Sequence, residues 1–300
     1  MARRSGRSVA GRVFSMSKMN DICYYAAEMT QFPVSIPDPI TSAANAEVKS
    51  LRALHERKYR KKSGWFLAEG ARICREAVAL DWDIHRLAFL AGRETDAVMR
   101  PLFDGLAASG GRALPMTKNL LQRISRRDNP QILIGAFGQR WHDLQAIADT
   151  SDTIWVALDR VRDPGNLGTV MRTVDAVEAA GIILVGDCTD PYSLEAVRAS
   201  MGAVFNVKMI ACSEAEFIAF TTAWLGRVIG TALPATVDYR QADYDGSLIM
   251  LMGNEQTGLN APLMDVCDQL VKIPMQGRSD SLNLAVATGV ALYTALDQRG

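Results

Sequence analysis

Residues 154–172 read Ile154-Trp155-Val156-Ala157-Leu158-Asp159-Arg160-Val161-Arg162-Asp163-Pro164-Gly165-Asn166-Leu167-Gly168-Thr169-Val170-Met171-Arg172. Five apolar residues run into a polar loop with two glycines, and apolar residues then return at helical spacing: strand, loop, helix. A strand apolar throughout belongs in a sheet covered on both faces. Gly165 and Gly168 allow a tight loop at its carboxyl end, and Asn166 offers an amide at the helix start, with the helix expected over Thr169–Ala180. Arg172 falls on the first turns, where its guanidinium can meet a phosphate bidentately. An ordinary turn with a capping Asn and a solvated Arg fits the same spacing.

The alternation continues to the end of the chain. Strands are expected at Ile182–Val185, Val204–Ile210, Val228–Ala232, Leu248–Met252 and Val271–Pro274, with helices at Ser193–Ala203 and Leu282–Leu296. That pattern predicts an α/β domain with a parallel sheet over residues 151–300. A smaller α/β domain is expected over residues 46–148: Val48–Leu54 and Ala71–Leu80 have helical spacing, while Trp65–Ala68, Leu87–Leu90 and Ile132–Phe137 read as strands. Ala148–Asp152 has the polarity of a linker.

Residues 1–45 are read as a basic, disordered arm and linker. Arg3, Arg4, Arg7, Arg12 and Lys18 sit among serines with no acid before Asp21, and Pro33, Pro37 and Pro39 exclude regular helix around them. The arm resembles a mitochondrial transit peptide in composition; a plain basic tail, or a start at Met16 or Met19, reads the same way. A cytoplasmic protein is the favoured reading.

The chain has 300 residues, 48% of them hydrophobic, and its formal net charge is zero, which rules out wholesale disorder. Zero hides an asymmetry: residues 1–150 hold 23 basic against 15 acidic residues, and residues 151–300 hold 10 against 18. A basic half joined to an acidic half suggests a module for polyanions attached to something else. No apolar run reaches the roughly 18 residues of a membrane span. Cys23, Cys74, Cys188, Cys212 and Cys267 are scattered without a CxxC pair, which points to a reduced compartment and core thiols rather than a metal site. His55, His85 and His142 all precede the larger domain, so a His-based triad or metal site there is not expected. P-loop and GxGxxG patterns are absent too.

Two further segments follow strands of that domain, where open α/β sheets bind ligands. Leu251-Met252-Gly253-Asn254-Glu255-Gln256-Thr257-Gly258-Leu259 carries an apolar strand straight into glycine, amide and carboxylate. Ile273-Pro274-Met275-Gln276-Gly277 leads through Ser281-Leu282-Asn283 into a helix rich in small residues. Polar groups at such a helix mouth are placed to meet a ligand.

In this order and spacing the three segments resemble the motifs of the SpoU/TrmH family of SPOUT RNA methyltransferases. Asn166-x-Gly168-x-x-x-Arg172 is similar to the first, Gly253-Asn254-Glu255-x-x-Gly258-Leu259 to the second, and Ile273-Pro274-Met275-x-Gly277 with Ser281-Leu282-Asn283 to the third. The middle region resembles the family's RNA substrate-binding domain, of ribosomal-protein-like fold, through Lys58-Tyr59-Arg60-Lys61-Lys62, Phe66-Leu67-Ala68-Glu69-Gly70 and Asn129-Pro130. Ile132 stands where the family usually has a small residue.

The resemblance implies transfer of a methyl group from S-adenosylmethionine to a ribose 2′-hydroxyl. It also implies a trefoil knot and a homodimer with the site near the subunit boundary. Asn166, Arg172, Glu255, Ser281 and Asn283 are then the expected catalytic residues. Thr231, Ala232, Leu233, Gly253, Ile273, Met275 and Leu282 would hold the methyl donor. Arg57, Lys58, Arg60, Lys61 and Lys62 would bind RNA: between Lys49 and Lys62 seven basic residues face one acid, Glu56. Ribosomal RNA is the expected substrate and transfer RNA the nearest alternative. An inert RNA-binding homologue and a nucleotide-dependent oxidoreductase are the competing readings, the latter without a glycine fingerprint.

Overall fold

A computed structural model describes residues 32–148 and 152–300. The basic arm lies outside these residues, as does most of the expected linker at 148–152. The smaller domain begins with α1 (Ala46–Ala53), capped by the Asn45 side chain accepting from the Glu47 amide at 2.8 Å, and α2 (Arg57–Ser63). β1 (Trp65–Glu69), α3 (Ala71–Ala79), β2 (Ile84–Leu90), α4 (Met99–Ala108), β3 (Arg112–Met116), α5 (Lys118–Ser125) and β4 (Leu133–Gly138) complete it. Its sheet runs β1-β4-β2-β3, with β4 antiparallel to both neighbours and β2 parallel to β3. Pro115 sits in β3, an edge strand, where a missing N–H is tolerated.

Residues 32–45, expected as linker, have no helix but are laid down on this domain. Phe32 meets Phe103 edge-on at 5.4 Å, and the Ile40 amide donates to Pro115 O at 2.8 Å beside β3. Half-buried Phe32, Val34 and Ile36 alternate with exposed residues and pack on the core, so the stretch is anchored by burial despite its prolines.

After the short α6 (Gln145–Ala148), the larger domain alternates as expected. Its elements are β5 (Ile154–Asp159), α7 (Pro164–Ala176), β6 (Gly181–Val185), α8 (Leu194–Ser200), β7 (Lys208–Cys212), α9 (Glu214–Ala223), β8 (Arg227–Thr231), β9 (Val237–Asp238), β10 (Leu248–Met252), α10 (Ala261–Asp265), β11 (Gln269–Lys272) and α11 (Leu284–Arg299). The strands form one sheet, β7-β6-β5-β10-β8-β11-β9, and every pairing is parallel. Parallel order stacks the loops after β5, β8, β10 and β11 side by side along one edge. Among the described residues no helix is long and apolar enough to cross a membrane.

Most expected elements differ by a few residues at their ends, and two start well away from their expected positions. α7 starts at Pro164, not Thr169, because Asp163 caps it, accepting from the Asn166 amide at 2.6 Å, and proline suits the first helical position. Val204 and Phe205 lie in a 3-10 turn, Ala203–Phe205, before β7 rather than in the strand. Their apolarity has another cause, the seam between the domains. There Phe66 meets Tyr192 at 4.7 Å and Phe205 at 5.6 Å, while Trp82 stands edge-on to Phe205 at 5.0 Å and donates Nε1–H to its carbonyl. One continuous hydrophobic core runs through both domains.

Charged groups close the seam. Arg198 on α8 forks onto Glu69 of β1 at 2.8–3.0 Å and also donates to Ser125 O. Arg60 on α2 pairs with Asp190 at 2.7 Å and donates to Leu54 O and His55 O. Buried Glu69 and largely covered Asp190 are thus compensated, which burial of charge requires.

Candidate active site

The site grows from the carboxyl end of β5. Asp159 is buried, and the next residue, Arg160, turns into the left-handed region (φ 46°) to fork back onto it with two bonds of 2.8 Å. The bent chain leaves Arg160 O free to accept from the Asn254 side-chain amide at 2.8 Å. Asn254 Oδ1 in turn accepts from the Gln256 and Thr257 amides, so one side chain shapes the turn after β10 and ties it to the loop after β5. Gly253 begins that turn under compulsion: a Cβ there would lie 2.5 Å from the Leu259 nitrogen.

Three segments then meet through side chains. Asn283 caps α11, accepting from the Ala285 and Val286 amides, and its Nδ2 donates to Asn166 Oδ1 at 2.9 Å. Asn166 Nδ2 donates to Glu255 Oε1 at 3.3 Å, and the Arg162 amide approaches Glu255 Oε2 at 3.4 Å. Around this string lies a cleft of about 420 Å³ lined by Arg162, Asp163, Asn166, Glu255, Gln256 and Asn283. The carboxylate of Glu255 is exposed to it, oriented by two fixed donors and with acceptor capacity left over. A hydroxyl entering the cleft has an anionic acceptor waiting.

Of the five expected catalytic residues, the structure brings Asn166, Glu255 and Asn283 together. Ser281 is exposed two residues before Asn283, with no side-chain partner among the described residues. Arg172 is exposed six residues further along α7 than Asn166, about 9 Å down the axis, and it does not line the cleft. It shares the outer face of α7 with Thr169 and Ala176. That face continues onto α11, where a Cβ at Gly289 would lie 3.8 Å from Thr173 Cγ2 and where Val286, Tyr293 and Leu296 are exposed.

The seven residues expected around a donor fall on the adjacent loops. Thr231 ends β8, and Ala232 and Leu233 follow it; the Thr231 hydroxyl lies 3.6 Å from Met252 Sδ, and the Ala232 amide donates to Val271 O at 3.0 Å. Ile273 and Met275 follow β11, Gly253 follows β10, and Leu282 precedes α11; all four are half-buried, whereas Leu233 is exposed.

The expected RNA-binding set needs one correction. Arg57, Lys58, Lys61 and Lys62 are exposed on α2, but Arg60 is 3% exposed and its donors are taken by Asp190 and two carbonyls. In a helical run of basic residues one side must face the body of the protein, and Arg60 is on it. Arg162, Asp163, Asn254 and Gln256 were missed. The Asp-Pro-Gly order before Asn166 is a legible cap signal for Asp163. No sequence signal separates Arg162 from other loop arginines.

Burial pushes the Cys188 thiol up to about 11 and those of Cys74, Cys212 and Cys267 up to about 12. They stay protonated, which agrees with core or packing roles.

Comparison with known proteins follows the same division. The SpoU rRNA Methylase family matches residues 153–293, and the MRM3-like substrate binding domain matches residues 45–135. An uncharacterized tRNA/rRNA methyltransferase of Synechocystis sp. is 32% identical, over 87% of this chain and 94% of its own. A 23S rRNA uridine 2′-O-methyltransferase of Streptomyces viridochromogenes is 30% identical over 86% and 92%. The AdoMet-bound rRNA methyltransferase of Sinorhizobium meliloti superposes with a TM-score of 0.82 at 42% identity, covering 89% of this chain and 98% of that one.

Proposed function

The chain belongs to the SpoU rRNA methylase family, and from that premise we propose that it transfers the methyl group of S-adenosylmethionine (AdoMet) to a ribose 2′-hydroxyl of ribosomal RNA. The observation that carries this reading is the string Asn283–Asn166–Glu255, which joins side chains 117 and 89 residues apart around one cleft.

The residues present fit the donor. Gly253 packs against the backbone of Gly258 and Leu259 where a Cβ would clash, which keeps the turn after β10 tight, and Leu233, Ile273, Met275 and Leu282 offer apolar surface on the loops beside it. Backbone amides and carbonyls with apolar walls suit a nucleoside carrying a sulfonium. Bound there, S-adenosylmethionine supplies the electrophilic methyl. The chain supplies orientation, which for an in-line displacement is a large share of the work. Glu255 accepts the hydrogen bond of the 2′-hydroxyl, with Asn166 and the Arg162 amide fixing its two oxygens. Asn283 holds Asn166 in register. A guanidinium has no lone pair to take a proton, so Arg172 acts by orienting ribose and phosphate rather than as the base.

The reading includes a homodimer. Val286, Tyr293 and Leu296 leave about half of each side chain on the outer face of α11, and together with α7 they make an unpartnered surface. Pairing through it places Arg172 at the subunit boundary. The trefoil threading of the last loops belongs to the same reading, supported by the return of α11 across β10 onto α7.

Labelled methyl transfer into unmodified 23S rRNA and, separately, tRNA tests the reaction. Label in alkali-resistant dinucleotides is expected with rRNA, because a 2′-O-methyl group blocks cleavage of the next phosphodiester; label in mononucleotides overturns ribose methylation. Arg172→Ala is expected to abolish transfer while S-adenosylmethionine still binds, and Tyr293→Asp to yield monomers in sedimentation. A chain that neither binds the donor nor transfers label is the inert RNA-binding homologue instead.

A further inference from the structure

Both domains aim a guanidinium at one exposed carboxylate on the cleft rim. Asp187 follows Gly186 (φ 73°) at the carboxyl end of β6. Arg162, which lines the cleft, reaches Asp187 Oδ2 at 2.8 Å, and Arg57, at the head of α2, reaches Oδ1 at 3.5 Å. The side chains of all three are 62–70% exposed.

We propose that Arg57 and Arg162 form a two-domain clamp for an RNA backbone phosphate beside the target nucleotide, and that Asp187 is a resident carboxylate which this phosphate displaces. The inference rests on RNA being the substrate. Two guanidinium charges share one carboxylate, so the trio carries a net positive charge on the path between the cleft and the exposed Lys58, Lys61 and Lys62 of α2. Arg162 and then Arg57 hold the Asp187 carboxyl below the usual carboxylate range, so at neutral pH it is an anion with two oxygens spread between two forks. A phosphate offers the same geometry with more acceptor oxygens. Exposed ion pairs are weak and exchange readily, unlike the closed Arg60–Asp190 pair nearby. Asp187 also deters binding where no phosphate arrives, so the clamp favours RNA that already grips α2.

The test uses the full chain with S-adenosylmethionine present, and an unmodified 23S rRNA transcript as the probe. Affinity is measured across a potassium chloride series for Arg57→Ala, Arg162→Ala and Asp187→Asn. Each arginine variant should weaken binding roughly three- to tenfold and lower the log–log salt slope by about 0.7–0.9, the signature of one lost phosphate contact. KM for RNA should rise more than kcat falls, and Arg57→Lys and Arg162→Lys should keep the slope. Asp187→Asn should tighten binding by about threefold, since it frees both guanidiniums. Donor affinity and melting temperature report that each variant is folded. Unchanged slopes in both arginine variants, or weaker binding by Asp187→Asn, overturns the clamp. A wild-type chain that binds the transcript with these responses but transfers no methyl refutes the catalytic reading and leaves the clamp standing; one that binds no RNA overturns both.

Discussion

Arg60 and Arg57 stand one turn apart on α2, and each faces an aspartate of the same connection between β6 and α8. The two pairs are opposites. The side chains of Arg60 and Asp190 are 4% and 10% exposed, and each guanidinium nitrogen of that arginine has a partner; Arg57 and Asp187 lie open to water, joined by a single longer contact. Desolvation decides what a charge does. A buried pair with its hydrogen bonds complete holds two bodies in one geometry and is costly to break, whereas an exposed pair holds little and leaves its charge available to a ligand. The seam between the domains is built from the first kind of contact, and the rim of the cleft from the second.

Arg198→Ala strikes that contrast hardest. It strands Glu69, whose carboxylate is 3% exposed, without a counter-charge, and should cost about 3–5 kcal/mol in urea unfolding. A loss under about 1 kcal/mol would place the seam in the same class as surface ion pairs. Glu255→Ala should do the reverse. Its kcat for methyl transfer is expected to fall about 100-fold or more, as when a single oriented polar group is removed from a reacting centre. Stability should move by no more than about 0.5 kcal/mol, because the side chain is exposed.

Replacing Lys58, Lys61 and Lys62 together by alanine should weaken rRNA binding by about tenfold at physiological salt and lower the salt slope by about 2–3. Adding Arg60→Ala should leave that slope where it was and reduce stability instead. The smallest effect is that of His55, whose Nε2 lies 2.6 Å from Ile124 O. Burial lowers its pKa below the ordinary 6.5, so the folded state takes up a proton less readily than the unfolded chain. Its contribution to stability is therefore complete above pH 6.5 and is lost as the pH falls through the lowered value. His55→Gln should flatten a plot of unfolding free energy against pH in that window.

The regular parts of the larger domain were legible because apolar strands and amphipathic helices leave different periods; β10 was read to the residue as Leu248–Met252. Polar loops carry no such period. Their likeness to the family's motifs showed through residue type and order, and Asn166, Glu255 and Asn283 do converge. Arg172 shows the limit: helical spacing from Asn166 already sets it on another face of α7, yet a linear motif gives no sense of face. Arg60 was misjudged because side-chain charge is the same whether a helix presents it to water or to an aspartate of the neighbouring domain. β3 was missed since Pro115 interrupts the strand signal, and the packing of residues 32–45 since prolines advertise irregular backbone without saying what it rests on. The run at Val204–Phe205 recorded contact with another domain, which local pattern confuses with a strand.

The continuous core beneath Phe66, Trp82, Tyr192 and Phe205 turns the molecule into a caliper. With α2 as one jaw and the cleft as the other, their separation is fixed before any RNA arrives. If α2 grips RNA as proposed, a nucleotide of suitable base and sugar is ignored unless the surrounding RNA fold presents a phosphate track at the same spacing. Target choice would then be a measurement of distance, retuned during evolution by residues of the seam that never touch RNA.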